Sequence, residues 1–255
     1  MKISRRQSLG LLAAAASLPA GLGRAAAQTP ARKIKLVVLD VGGTLIPDHG
    51  EVPDAMLSAF KKGGVAVTPA EIGEWRGASK IGMVRHFVEL RVKASPARGK
   101  LTESIYGDFS TQVSRAYADV QPIAGVEQAI AEIRSMGLLL AATTGFDRPL
   151  LEQVFGRLKW RDQFVATVTS DDVVDGRPAP FMIFHAMETA HVNAMAEIVV
   201  VGDTPLDLQA AHNAGSRGVV GVYSGAATKE RLEREPHTHI LPSVAQLPKL
   251  LRDSF

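Results

Sequence analysis

Five short apolar runs, at residues 34–39, 138–143, 164–168, 198–201 and 218–222, recur along the chain with amphipathic stretches between them. Runs this short, apolar at nearly every position, are the pattern of strands buried on both faces. Helical spacing fills the intervals: Val126, Ile130 and Ile133 in one, Leu151, Val154, Phe155 and Leu158 in another, and the stretch 206–214 in a third. Strand and helix in alternation predict an α/β fold, a doubly wound parallel sheet with helices on both faces. Such sheets bind ligands beyond the carboxyl ends of their strands. The polar residues that close each apolar run are therefore the first functional candidates.

One interval breaks the rhythm. Residues 50–120 contain no convincing strand and read as helices at 53–62, 69–90 and 101–119, with Gly63-Gly64 and residues 95–100 as breakers. The expected organisation is a core of residues 33–49 and 123–252, with residues 50–122 forming a small α-helical cap inserted after the first strand, large enough to act as a lid. A chain of 255 residues has the length for one large core with such a satellite. It holds no cysteine, which excludes disulfides, thiolate metal sites and a cysteine nucleophile.

The first 27 residues have a different character. Arg5-Arg6 precedes an apolar run at 9–18, and small residues end in Ala25-Ala26-Ala27. This is the order of an export signal with a cleavage site. The run is too short for a spanning helix, which needs roughly twenty residues. Ser4-Arg5-Arg6-Gln7-Ser8-Leu9 resembles a twin-arginine signal, with Ser8 where that signal usually has Phe. The expectation is a precursor cleaved after residue 27, exported to the periplasm and not inserted in the membrane once processed. This segment also holds Lys2, Arg5, Arg6 and Arg24 and no acid, so of 29 Lys+Arg against 26 Asp+Glu, 25 against 26 remain. A body near −1 gives no support to a nucleic-acid partner.

Four features follow the apolar runs. Asp40 opens Asp40-Val41-Gly42-Gly43-Thr44-Leu45; Thr144-Gly145 follows the second run; Arg177 lies in Asp175-Gly176-Arg177-Pro178; Asp203 and Asp207 lie in Gly202-Asp203-Thr204-Pro205-Leu206-Asp207. Acids from separate strand ends, a hydroxyl and a basic residue suit a Mg²⁺-assisted phosphoryl site. Mg²⁺ prefers carboxylate, carbonyl and water oxygens, and phosphoryl groups take cationic and hydroxyl partners. His237-Thr238-His239 has no third metal ligand nearby and reads as a surface turn.

Together these features resemble the haloacid dehalogenase superfamily over residues 33–252. The resemblance implies that Asp40 is a nucleophile forming an aspartyl-phosphate, and that Thr144 and Arg177 bind the phosphoryl group, with Gly43, Thr44 and Gly145 as substrate-binding positions. It also implies that Mg²⁺ is held by Asp40, the Gly42 carbonyl and Asp203, with Asp207 in support. Thr143-Thr144-Gly145-Phe146, Gly176-Arg177-Pro178-Ala179-Pro180 and the Asp203 motif further resemble the phosphonoacetaldehyde hydrolases. In that group the residue two after the nucleophile is small, where phosphomonoesterases have an acid for the leaving alcohol. Here it is Gly42, which cannot transfer a proton, and acid–base help of about 10²–10⁴-fold is missing for ordinary esters.

Gly77-Ala78-Ser79-Lys80-Ile81 resembles the context of a Schiff-base lysine in those hydrolases. The chemistry needs an amine, because breaking a C–P bond expels a carbanion that an imine can accept as an enamine. The amine must be neutral, so Lys80 needs burial or a nearby cation such as Arg76 or Arg85. On a helix Lys80 falls beside Ile81, Val84 and Val88, where it either faces the cleft or snorkels at the helix edge; both readings stay open. Three positions depart from the resemblance: Met83 replaces a histidine, Phe146 a tyrosine, and the loop cysteine is absent. His49 and His86 are the nearest substitutes, although both read more simply as surface residues. The leading expectation is Mg²⁺-dependent hydrolysis of a small phosphonate aldehyde. The alternatives are a phosphomonoesterase of the phosphoglycolate phosphatase type and an exported phosphoryl-ligand binding protein without turnover. The partner implied is a small phosphorylated or phosphonate substrate, and oligomeric state stays open.

Overall fold

The computed structural model describes residues 33–255; the export segment expected at 1–27 lies outside them. The chain runs β1 (Leu36–Asp40), α1 (Glu51–Lys62), α2 (Pro69–Glu74), α3 (Lys80–Arg91), α4 (Ala97–Ala116), α5 (Val126–Ser135), β2 (Leu139–Thr144), α6 (Arg148–Leu158), β3 (Ala166–Thr169), α7 (Phe181–Thr189), β4 (Ile198–Gly202), α8 (Pro205–Ala214), β5 (Gly218–Val222), α9 (Lys229–Leu232), β6 (His239–Leu241) and α10 (Leu247–Ser254). The six strands form one sheet in the order β3-β2-β1-β4-β5-β6, with every neighbouring pair parallel. This is the doubly wound arrangement expected from the alternation of runs and helices. The strand order reverses at β1, between β2 and β4, which opens a crevice beyond the carboxyl ends of these central strands.

All five residues of β1 are buried because both faces of the strand are covered. Leu36 and Val38 pack in one cluster with Met182 and Ile183 of α7 and Leu208 and Ala211 of α8. Val37 and Leu39 point the other way, into a cluster with Ile130 and Ile133 of α5 and Leu151 and Val154 of α6. Strand β6 has three half-buried residues at the sheet edge, and its lack of an apolar run hid it from pattern reading.

Four helices, α1 to α4, fill the interval between β1 and β2. Met56 and Phe60 of α1, Phe87 of α3 and Ile105 and Phe109 of α4 bury one another, and their cluster is continuous with the α5–α6 side of the sheet. The single helix expected at 69–90 is instead two. Helix α2 stops at Glu74, and α3 restarts after Ser79, whose side chain accepts from the Gly82 N–H as an N-cap. Between them Gly77 takes φ +82°, a conformation that breaks a helix. Lys80 therefore begins α3 rather than lying along a long helix. It occupies the same face as Met83, Val84, Phe87 and Val88, all buried, at positions i, i+3, i+4, i+7 and i+8. Ile81, expected on that stripe, is only half-buried. Among the described residues no helix is long and apolar enough to cross a membrane.

Candidate active site

The polar ends of β1, β2 and β4 converge on one buried cluster. Asp40 closes β1, and its Oδ1 accepts a 2.7 Å hydrogen bond from Arg177 Nη1. The same nitrogen lies 2.8 Å from Asp207 Oδ1. Arg177 Nη2 donates to the Thr143 carbonyl at 3.0 Å and to Thr143 Oγ1 at 2.8 Å. One guanidinium thus ties the ends of β1 and β2 to the start of α8 and, at 3.5 Å, also reaches the Gly77 carbonyl, so its planar fork meets five acceptors.

Asp207 is held from behind. Its Oδ2 accepts from the Thr204 N–H at 3.0 Å and from Thr204 Oγ1 at 2.5 Å, the reciprocal cap that starts α8. Asp203 accepts from the Ala226 N–H at 2.6 Å and from Thr44 Oγ1 at 3.3 Å. A Cβ added at Gly43 or Gly225 would fall 2.2 Å from Asp203 Oδ2, so both backbones must be glycine for the loops to close around that carboxylate. The role of the loop after β5, residues 224–226, was missed at the sequence level; a run of small residues directly after a strand was the signal available. Gly43 and Thr44 pack against Asp203 and are not among the residues that line the cleft.

Carboxylate oxygens of Asp40, Asp203 and Asp207 lie within 4.8 Å of one another, and all three residues are buried. Burial pushes Asp40 up to about 6, with Asp207 adding to the rise and Arg177 opposing it. Burial also raises Asp203 well above the usual carboxylate range, reinforced by Asp40 and Asp207. Three buried carboxylates converge with one guanidinium, so the set carries an excess of negative charge and hard oxygen donors. That donor set fits a divalent cation of the hard, oxygen-seeking kind.

Lys80 enters this cluster from the helical insertion. Two close approaches bring it in. A Cβ on Gly77 would sit 2.6 Å from Thr204 Oγ1, and one on Gly145 would sit 2.5 Å from the Ala78 carbonyl. The 75–79 turn can dock against the strand-end loops only because both positions lack a side chain. Gly145 thus seats the insertion. Lys80 is 6% exposed, and its Nζ donates to the Ala78 carbonyl at 2.8 Å. It lines the same cleft as Asp40, Thr144, Arg177 and Asp203. Burial pulls its amine down to about 8; Asp40 opposes the shift and Arg177 assists it. The assisting cation is thus Arg177, not the expected Arg76 or Arg85. Arg76 pairs with Asp48 at 3.5 Å, and Arg85 is exposed.

The remaining sequence candidates are distributed as follows. Thr144 Oγ1 accepts from the Phe146 N–H at 3.1 Å, which leaves its own hydrogen available to the cleft. Gly42 lines the cleft, and a Cβ there would meet Phe146 Cζ at 3.1 Å. Met83 is buried at the cleft wall. His49 is exposed, and His86 is exposed with its ring 5.0 Å from that of Trp75. His237 Nδ1 bonds the Glu235 carbonyl at 2.8 Å on the surface. Sequence reading overlooked Asp48 and Tyr117, which also line the cleft. Neither follows one of the apolar runs, so nothing marked them.

The chain belongs to the haloacid dehalogenase-like hydrolases, whose family profile matches residues 34–215. Its relatives narrow the comparison. It is 32% identical over 240 residues to a phosphonoacetaldehyde hydrolase of Bacillus cereus, covering 88% of each chain. It is 29% identical over 241 residues to one of Bacillus cytotoxicus, again covering 88% of each. Among solved structures, a phosphonoacetaldehyde hydrolase-like protein from Oleispira antarctica superposes with a TM-score of 0.74 at 23% identity, over 88% of this chain and 93% of that one. A predicted phosphoglycolate phosphatase from Haemophilus somnus superposes with a TM-score of 0.71 at 17% identity, over 85% and 97%. The structural likenesses establish the shared fold.

Proposed function

We propose that this hydrolase acts at phosphorus with Mg²⁺, through an aspartyl-phosphate on Asp40, and that its substrate is a small phosphonate carrying an aldehyde. One observation carries the reading: a buried lysine amine, drawn down to about 8, shares a cleft with the carboxylate at the end of β1. A surface lysine would offer neither the burial nor the proximity. The absence of an acid at Gly42 agrees with it, since a C–P bond has no leaving alcohol to protonate.

In this reading Asp40, Asp203, Asp207 and the Gly42 carbonyl hold the cation, which when bound offsets the charge that gathers on the phosphoryl oxygens. Arg177 and Thr144 orient the phosphoryl group by donating to its oxygens. Neutral Lys80 condenses with the aldehyde, losing water to form an imine. Asp40 Oδ then attacks phosphorus, and the C–P bond breaks as its electron pair moves into the imine, protonated on nitrogen by solvent, to form an enamine on Lys80. Protonation at carbon and hydrolysis of the resulting imine release the aldehyde and restore the amine. Water cleaves the aspartyl-phosphate to inorganic phosphate. The insertion of residues 50–122 acts as the cap that brings Lys80 to this chemistry.

A second reading is favoured by Met83, a buried side chain at the cleft wall with no proton to exchange, close to where an imine would need one. There the enzyme is a phosphomonoesterase and Lys80 is a cationic contact. Phosphate release from a panel of phosphonates and phosphate esters with Mg²⁺, paired with borohydride trapping, separates the two. A reduced adduct at Lys80 supports imine chemistry. Ester hydrolysis without any adduct overturns it. We also propose that the precursor is exported by the twin-arginine route, on the basis of Arg5-Arg6 and the small residues at 25–27. Replacing both arginines by lysine then leaves it in the cytoplasm, and unchanged export refutes that route.

A further inference from the structure

Tyr117 follows the last turn of α4, where the insertion returns to the sheet. It is 2% exposed, and its ring lies 5.7 Å from that of Phe146, which stands over Gly42. Among the described residues only two buried side-chain atoms lack a hydrogen-bond partner, Tyr117 Oη and Ser216 Oγ. Ser216 follows α8, away from the cleft, whereas Tyr117 lines the cleft together with Asp40 and Lys80. A buried donor without a partner is costly, and in a cleft such a group is completed by a ligand or an ordered water.

The surroundings say what this hydroxyl can do. Burial raises its pKa, and the nearby acids Asp48, Glu51, Asp203 and Asp40 raise it further, so the phenol keeps its proton and acts as a donor. The phosphoryl end of the cleft already has Arg177 and Thr144, and Lys80 serves the carbonyl carbon rather than its oxygen. Val52, Ile72, Met83 and Phe146, which line the same cleft, are apolar, and none of its carboxylates, Asp48 included, hydrogen-bonds the phenol.

We propose that Tyr117 Oη donates a hydrogen bond to an oxygen on the organic half of the substrate in the complex that forms before Lys80 condenses with it, and thereby selects compounds with a carbonyl or hydroxyl oxygen beyond the phosphorus. The proposal rests on reading the cleft as a phosphorus-hydrolase site, and Tyr117 is its specificity-determining residue.

The test is calorimetric binding of 2-oxopropylphosphonate and propylphosphonate, with Mg²⁺, to the wild type and to Tyr117→Phe. The first ligand has the acceptor oxygen and the second lacks it; Lys80 is present in both proteins. The wild type is expected to prefer the oxo compound, and the ratio of the two Kd values to fall about tenfold in Tyr117→Phe, with propylphosphonate binding unchanged. Ligand-free Tyr117→Phe should melt at or above the wild type, since only an unpaired hydroxyl is removed. An unchanged ratio overturns the proposal. So does a lower melting temperature with both ligands weakened equally, which marks a packing role. If neither phosphonate binds the wild type, the reading of the cleft itself fails, and that is seen before any variant is made.

Discussion

Lys80 offers the most direct measurement, because its burial has consequences for both reactivity and stability. An amine at about 8 is neutral in roughly one molecule in ten at pH 7, against roughly one in three thousand for a lysine at 10.5. The cleft therefore raises the supply of free amine roughly 300-fold at pH 7. Borohydride trapping of a small phosphonate aldehyde should rise about tenfold per pH unit below 8 and level off above it. Stability gives an independent check. The folded pKa lies below the unfolded one, so between about pH 8 and 10.5 the unfolded chain binds more protons. Stability attributable to this residue thus increases with pH through that window, and the penalty is fully present below 8. The shift corresponds to a penalty of about 3 kcal/mol at neutral pH, an upper figure because relaxation in the folded state reduces it. Urea unfolding should accordingly find Lys80→Met more stable than the wild type at pH 7, with the gap closing by pH 10.5. A trapping midpoint near 10.5, or a stability gap that does not change with pH, would refute the picture of a desolvated amine.

Arg177→Ala leaves the buried carboxylates Asp40 and Asp207 without their shared partner; it should lose about 3–5 kcal/mol in denaturant unfolding without Mg²⁺. Asp203→Asn removes a carboxylate held protonated-prone by burial; it should melt no lower than the wild type without metal, yet lose the rise in Tm that Mg²⁺ gives the wild type. Asp40→Asn should keep the fold and abolish phosphate release, read together by circular dichroism and a phosphate assay. Gly42→Asp alone should not help ester hydrolysis, since its Cβ would meet Phe146 Cζ at 3.1 Å. If the enzyme is a phosphomonoesterase, the gain should appear only when Phe146→Ala is added.

The sheet was legible from the chain because strands buried on both faces must be apolar at nearly every position. All five runs lie on observed strands, each displaced by no more than two residues at either end. The strand-end carboxylates were legible for a related reason. Parallel topology carries the ends of successive strands to one edge, so Asp40 and Asp203 were bound to meet there once the strands were recognised, with Asp207 following in the first turn of α8. β6 escaped because a three-residue edge strand needs no apolar run.

Other features depended on contacts between segments far apart in the chain. Whether Lys80 snorkels or faces the cleft is decided by Gly77 against Thr204 and Gly145 against Ala78, approaches that no local pattern encodes. The helix break at 75–79 has the same origin, since a left-handed glycine in a turn is favoured here by docking against the strand-end loops. Tyr117 reaches the cleft only through the way the insertion folds back over the sheet, and Asp48 through the course of the loop between β1 and α1. Periodicity reports which face of an element is dry, and motif spacing reports which strand end bears an acid. The pKa of an amine and the missing partner of a phenol depend on the packing of several segments at once, and so belong to the tertiary structure alone.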